Sequence, residues 1–227
     1  MKFNNKEVIL FDLDGTLIDS VPDLASAVNF MLKSINRDTF SEEIIRSWVG
    51  NGAQILVKRA LLGKAEINVE IDTNLFEKAL NIFLSFYKDN LCNNTKLYNG
   101  VFNSLKYLKD FGYKLVIVTN KPYDFIEPIL TGLELNSLFE FYVGGDSLDK
   151  KKPDPMQLTY ACEKLEVDIE NTIMIGDSKN DIISANSINM QSIGVTYGYN
   201  YGEDINIYNP NAVVDNFSDI LPFLTDK

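Results

Sequence analysis

Val8-Ile9-Leu10-Phe11-Asp12-Leu13-Asp14-Gly15-Thr16 decides how the rest of the chain is read. Four apolar residues in succession have the pattern of a strand buried on both faces. The run ends in two carboxylates two residues apart, followed by a glycine that permits a sharp turn. Two acids at that spacing can face one small site if the chain turns there; a strand followed by a plain acidic turn is the alternative. Leu115-Val116-Ile117-Val118 likewise runs into Thr119-Asn120-Lys121, and Ile173-Met174-Ile175-Gly176 runs into Asp177-Ser178. In an open parallel α/β sheet the C-terminal ends of the strands share one edge, where ligands bind. Together the three stretches predict one site that collects Asp12, Asp14, Thr119 and Asp177.

Downstream of Thr16 the period changes from strand to helix. Val21, Leu24, Val28, Met31, Leu32 and Ile35 fall on one helical face, with Ser20 as a candidate cap and Pro22 in the first turn. Further helices are expected from Ser41 to Gly50, from about Gly52 to Leu62, and after Asp72, where Phe76, Ala79, Leu80, Phe83, Phe86 and Tyr87 fall on one face. No strand signal lies between Leu17 and Asn90. From Lys96 onward helix and strand alternate. A helix after Phe125 is expected to bend or stop near Pro128, and Phe141-Tyr142-Val143, Ser192-Ile193-Gly194-Val195 and Ala212-Val213-Val214 read as strands. The expected fold is α/β: a doubly wound parallel, Rossmann-like core formed by residues 1–16 and 92–227, with residues 17–91 inserted as an all-helical cap over the catalytic edge.

The chain has 227 residues, 45% of them hydrophobic and 23% charged, an ordinary balance for a globular protein. No apolar run approaches the ~18 residues needed to span a membrane, and the polar start from Met1 to Lys6 reads as no secretory signal. Cys92 and Cys162 have neither metal nor redox spacing. A reduced, cytoplasmic protein, monomer or homodimer, is the expectation. A net charge of −11 argues against nucleic acid as a partner, since that affinity depends on neutralising phosphates. There is no histidine. That excludes a Ser-His-Asp mechanism, a phosphohistidine and any His-ligated zinc, and leaves acid-base work to carboxylates, lysine, tyrosine or a metal-bound water.

Carboxylates gathered around an open position suit Mg²⁺, a cation that prefers oxygen ligands; Asp12 and Asp177 are the natural side-chain donors. A carboxylate beside such an ion can attack phosphorus and form an aspartyl-phosphate. Thr119 and Asn120 offer a hydroxyl, an amide and backbone N–H groups to phosphate oxygens, and Lys152 offers a positive charge.

Asp12-Leu13-Asp14-Gly15-Thr16, Thr119-Asn120, Lys152-Pro153 and Gly176-Asp177-Ser178-Lys179-Asn180-Asp181 resemble, in order and spacing, the four motifs of the haloacid dehalogenase superfamily. The helical insertion falls where that family places its smaller type of cap. Trp48-Val49-Gly50-Asn51-Gly52-Ala53, Val118 to Pro122, Gly144-Gly145-Asp146 and Thr196 to Asn200 extend the resemblance to members that hydrolyse phosphoglycolate-like monoesters. The resemblance implies Asp12 as nucleophile and magnesium ligand. It implies Asp14 as the acid and base at the leaving oxygen, with its backbone carbonyl on the metal, and Thr119 as phosphoryl binder. Lys152 would stabilise the phosphoaspartate; Asp177 and Asp181 would complete the metal site. An acid at Asp14 separates the family's phosphatases from its dehalogenases. Gly15, Thr16, Asn120 and Lys121 are candidate substrate contacts. In the cap, Asn51-Gly52 is either a plain helix start or a helix N-terminus aimed at an anion, and Arg59 with Lys58 either binds a substrate carboxylate or is a solvated face. The expected partner is a small anionic phosphate monoester, 2-phosphoglycolate first. Another small-molecule phosphatase, a sugar phosphomutase and a noncatalytic binding protein are the alternatives.

Overall fold

The computed structural model describes residues 2–225. Strand β1 (Val8–Phe11) is fully buried, as its unbroken apolar run requires. It feeds a two-residue strand β2 (Ile18–Asp19) and then helices α1 (Val21–Ser34), α2 (Glu42–Arg46), α3 (Ala53–Leu62) and α4 (Thr73–Lys88). A second two-residue strand, β3 (Lys96–Leu97), leads back to the core through α5 (Val101–Asp110), β4 (Lys114–Val118), α6 (Ile126–Gly132) and β5 (Phe141–Val143). The chain ends with α7 (Met156–Leu165), β6 (Thr172–Gly176), α8 (Lys179–Ser187), β7 (Gln191–Val195), β8 (Ala212–Val214) and α9 (Leu221–Leu224).

Six strands form one sheet in the order β5-β4-β1-β6-β7-β8, and every pairing is parallel. β1 lies between β4 and β6 with Phe11 in register with both Ile117 and Ile175, so the three strands end level with one another. Alternation of side chains sends the two faces of these strands into different packing. Ile9, Phe11, Leu115, Ile117, Ile173 and Ile175 join the large cluster that includes α5 and the cap. Val8, Leu10, Val116, Val118 and Met174 join the smaller cluster under α7 and α8. Covered on both faces, the strands can be apolar throughout.

The helices of residues 21–88 pack on one another through the apolar stripe that their period predicts. Val28, Met31, Ala79 and Phe83 are all fully buried, and α1 lies along α4. Two connections join this block to the core. They run side by side: β2 pairs with β3 in an antiparallel ribbon, and the buried Asp23 carboxylate accepts hydrogen bonds from the backbone N–H groups of Asn94 and Thr95 and from the Thr95 hydroxyl.

Local details differ from expectation. Strand β2 lies inside the stretch from Leu17 to Asn90 that carries no strand signal, because two residues are too few to set a period. The second helix stops at Arg46 instead of reaching Gly50. Pro128 neither bends nor stops α6; it occupies the first turn, where its missing N–H is not needed. Ser20 precedes α1 but its hydroxyl caps nothing there, being turned to Asp14.

Candidate active site

Asp12, Thr119 and Asp177 each stand immediately beyond β1, β4 and β6, so the level strand ends bring them to one edge. Lys152 arrives from the loop before α7. Its ammonium is 3.0 Å from Asp12 Oδ1 and 2.6 Å from Asp181 Oδ1, and its third donor meets the Val118 carbonyl. One side-chain oxygen from each of Asp12, Asp177 and Asp181 lies within 4.8 Å of the others. Burial pushes the Asp12 carboxyl up to about 6, with Lys152 pulling the other way. Burial and the neighbouring Asp12 and Asp181 charges raise Asp177 well above the usual carboxylate range. Burial opposes the charge on Lys152, but Asp12 and Asp181 outweigh it and raise its pKa. Three crowded carboxylates with one ammonium are a donor set of hard oxygens short of positive charge, which a divalent cation fits.

The acids are held from behind. Asp177 Oδ1 accepts from the Thr16 hydroxyl at 2.9 Å and Oδ2 from the Tyr199 N–H at 2.7 Å. Gly15 has φ of +92°, and a Cβ there would sit 2.4 Å from Asp177 Oδ2, so the turn after Asp14 needs glycine both for its backbone angle and for room. Asp181 takes Ser178 in a capping box at the start of α8.

Asp14 is set apart from this cluster. Its carboxylate accepts from the Ser20 hydroxyl and from the Lys121 ammonium at 3.0 and 3.1 Å. Lys121 is buried; its remaining donor goes to the Tyr87 hydroxyl of α4 at 2.8 Å. Burial disfavours the Lys121 charge, but Asp14 and Tyr87 outweigh it and raise its pKa. Burial pushes Tyr87 up to about 12.

Asp12, Asp14, Thr119 and Lys121 line the core side of a cavity of about 40 Å³ whose roof is the cap. The roof is apolar, with Leu24, Val49, Ala53, Leu56 and Phe83 among its residues, together with Tyr87 and the glycines Gly50 and Gly52. Gly50 and Asn51 are held down on the core: Gly50 O accepts from Asn120 Nδ2 and Asn180 Nδ2, both at 3.2 Å, and Asn51 O from Lys151 Nζ at 2.8 Å.

Several expected contacts are spent elsewhere. The Thr119 N–H donates to Val143 O and the Gly15 N–H to Ile18 O. The Thr16 hydroxyl serves Asp177, and the Asn120 amide N–H groups go to Gly50 O and Lys152 O, leaving its buried Oδ1 without a donor among the described residues. Asn51 turns its side chain to the Tyr201 hydroxyl. Arg59 does not line the cavity: its guanidinium donates to the carbonyls of Trp48 and Ala65 and lies over Tyr201. Lys58 lies over Phe76. Ser20, Tyr87 and Tyr199 were missed. Ser20 reads as a helix cap, Tyr87 as part of an apolar helix face and Tyr199 as one of several tyrosines in a loop, and no spacing rule marks any of them.

A model of haloacid dehalogenase-like hydrolases matches residues 9–195. The chain belongs to that family. Within it the chain stands with the phosphatases. It is 54% identical over 221 residues to the phosphoglycolate phosphatase of Colwellia psychrerythraea, covering 97% of this chain and 98% of that protein. It is 44% identical to the phosphoglycolate phosphatase of Psychrobacter arcticus, covering 97% and 96%. A crystal structure of a predicted phosphoglycolate phosphatase from Haemophilus somnus superposes with a TM-score of 0.90 at 39% identity, covering 96% of this chain and 98% of that one.

Proposed function

We propose that this phosphatase hydrolyses 2-phosphoglycolate to glycolate and phosphate, with Asp12 as the nucleophile and Mg²⁺ as its cation. The observation that carries the reading is the small roofed cavity between Asp12 and Asp14 on one side and the cap on the other. An apolar roof set close over these two acids suits a compact leaving group such as the –CH2COO⁻ of glycolate, four heavy atoms beyond the ester oxygen. The names of the Colwellia and Psychrobacter relatives support the same substrate.

Asp12 attacks phosphorus and takes up the phosphoryl group as an aspartyl-phosphate. Lys152, paired with Asp12 in the ground state, stabilises the charge that spreads over the phosphoryl oxygens. The Thr119 hydroxyl, on the cavity wall, holds one of those oxygens. Asp14 gives a proton to the departing alkoxide and then takes one from the water that hydrolyses the intermediate. Ser20 and Lys121 fix its carboxylate in place for both steps. Asp12, Asp177 and Asp181, with the Asp14 carbonyl, would hold the cation, which supplies positive charge opposite the phosphate. The cap excludes bulk water during transfer and opens for release. A cytoplasmic location and action as a monomer or homodimer belong to the same reading.

Phosphate release from 2-phosphoglycolate, sugar phosphates, nucleoside monophosphates and pyrophosphate, with Mg²⁺ and with EDTA, tests it. Metal-dependent release preferring 2-phosphoglycolate is expected. Equal release across the panel would remove the substrate assignment, and release that survives EDTA would remove the cation.

A further inference from the structure

We propose that Tyr87 is the cap's substrate-reading side chain, its hydroxyl donating a hydrogen bond to the carboxylate of the leaving group. Of the side chains that the cap turns into the cavity, Tyr87 alone is polar; the others are Leu24, Val49, Ala53, Leu56 and Phe83. A buried hydroxyl with a partner for only one of its capacities is uncommon. The Lys121 ammonium can only donate, so across their 2.8 Å contact the tyrosine oxygen is the acceptor. The phenolic proton then has no acceptor among the described residues, and the residue borders the space where a leaving group would lie.

The surroundings fix the direction of this donor. Tyr87 is 1% exposed; its ring stacks on Phe83 at 5.7 Å and meets Phe125 edge-on at 5.2 Å. The ring therefore has little freedom to turn away. Lys121 spends its other two donors on Asp14, so it offers the leaving group nearby positive charge but no free N–H. Tyr87 supplies the hydrogen bond that Lys121 cannot. A carboxylate one carbon from the ester oxygen, apolar walls around that carbon, and a donor held against a buried cation are mutually consistent. A neutral alkyl group would fit the walls but would leave the hydroxyl unpaired, and a site built to hydrogen-bond its ligand discriminates strongly against an analogue that lacks the partner.

This inference rests on the 2-phosphoglycolate reading, and ethyl phosphate separates the two. Ethyl phosphate keeps the two-carbon ester and replaces the carboxylate by a methyl group. The measurement is kcat and KM for both esters, in the wild type and in Tyr87→Phe, with thermal midpoints to establish that both are folded. The phenylalanine ring preserves the stacking. Wild type is expected to prefer 2-phosphoglycolate. In Tyr87→Phe that preference should shrink about 10- to 100-fold, chiefly through KM, as expected for a lost hydrogen bond to a charged group. If the two esters lose turnover in proportion, through kcat, Tyr87 is a positioning residue acting through Lys121 on Asp14 and the proposal is overturned while the substrate reading stands. An undiminished preference in the variant overturns it in the same way. A wild type that does not distinguish the esters overturns the substrate reading, and the carboxylate contact with it.

Discussion

The core and the cap meet at one cavity but contribute to it by different rules. In the core, chemistry sits at the ends of buried strands, and the sheet register alone brings Asp12, Thr119 and Asp177 together. In the cap, residues reach the cavity from the sides of helices, and their position depends on how the whole block is set on its two connections. The core's polar groups are charged and bonded from several directions. The cap's contribution is nearly all apolar, with one hydroxyl. One region depends on where its strands end; the other depends on how its helices are set against the core.

The sharpest way to break this contrast is at Asp12. Asp12→Asn should lower turnover by about 10⁴-fold or more with the thermal midpoint held or raised, because it removes the nucleophile and one of three crowded charges. Single-turnover assays with labelled substrate would check it, and retained turnover would remove Asp12 from the attacking role.

Next is the response to cation and pH. In the metal-free protein, burial raises Asp12 to about 6 and Asp177 further above its usual range. In the unfolded chain both carboxyls titrate near 4. Above that pH the native state binds more protons than the unfolded one, so metal-free stability falls as pH rises from about 4 through the raised native values. Saturating Mg²⁺ should reverse this at pH 7.5, raising the midpoint by about 5–10 °C if present at ~100 times its dissociation constant. Scanning calorimetry at pH 5 and 7.5, with and without the ion, reads both effects; a Mg²⁺ shift no larger at pH 7.5 than at pH 5 would contradict the carboxylate assignment.

Smaller effects are expected in the cap and its hinge. Arg46 of α2 pairs with Asp19 of β2 at 2.9 Å and lies over the Tyr199 ring. Arg46→Ala should cost about 1 kcal/mol, or roughly 2–4 °C in midpoint. Arg59→Ala should leave KM for 2-phosphoglycolate within about twofold while lowering the midpoint by a similar few degrees, since its bonds go to Trp48 and Ala65 carbonyls. A tenfold rise in KM would place Arg59 at the substrate after all.

The same contrast explains what could be read from the sequence. β1, β4 and β6 announce themselves as apolar runs, and the polar residues that follow them have nowhere else to go. Asp12 and Asp177 were therefore legible, as was the doubly wound sheet. Lys152 and Asp181 are not at strand ends: Lys152 could be read only as a positive charge near the site, and Asp181 came from the resemblance to a family; the structure pairs the two at 2.6 Å in the buried interior. Arg59 was a charged residue on a helix whose rotation about the core no pattern specifies. Tyr87 was read as one more member of an apolar stripe, because an aromatic ring serves packing and its hydroxyl leaves no trace in the period. Ser20 looked like a cap, and became a support for Asp14 only through a turn that brings residues 14 and 20 together.

The seam at Gly50 and Asn51 has a consequence for how such a molecule could change its taste. Three donors from the core, Asn120, Asn180 and Lys151, grip the two carbonyls there. At about 1 kcal/mol net apiece they fasten the cap there with roughly 3 kcal/mol. The acceptors are peptide oxygens, which every residue type possesses. This clasp is therefore indifferent to which side chains face the cavity: Leu24, Val49, Leu56 and Phe83 can be exchanged to suit another guest while the three bonds stay intact.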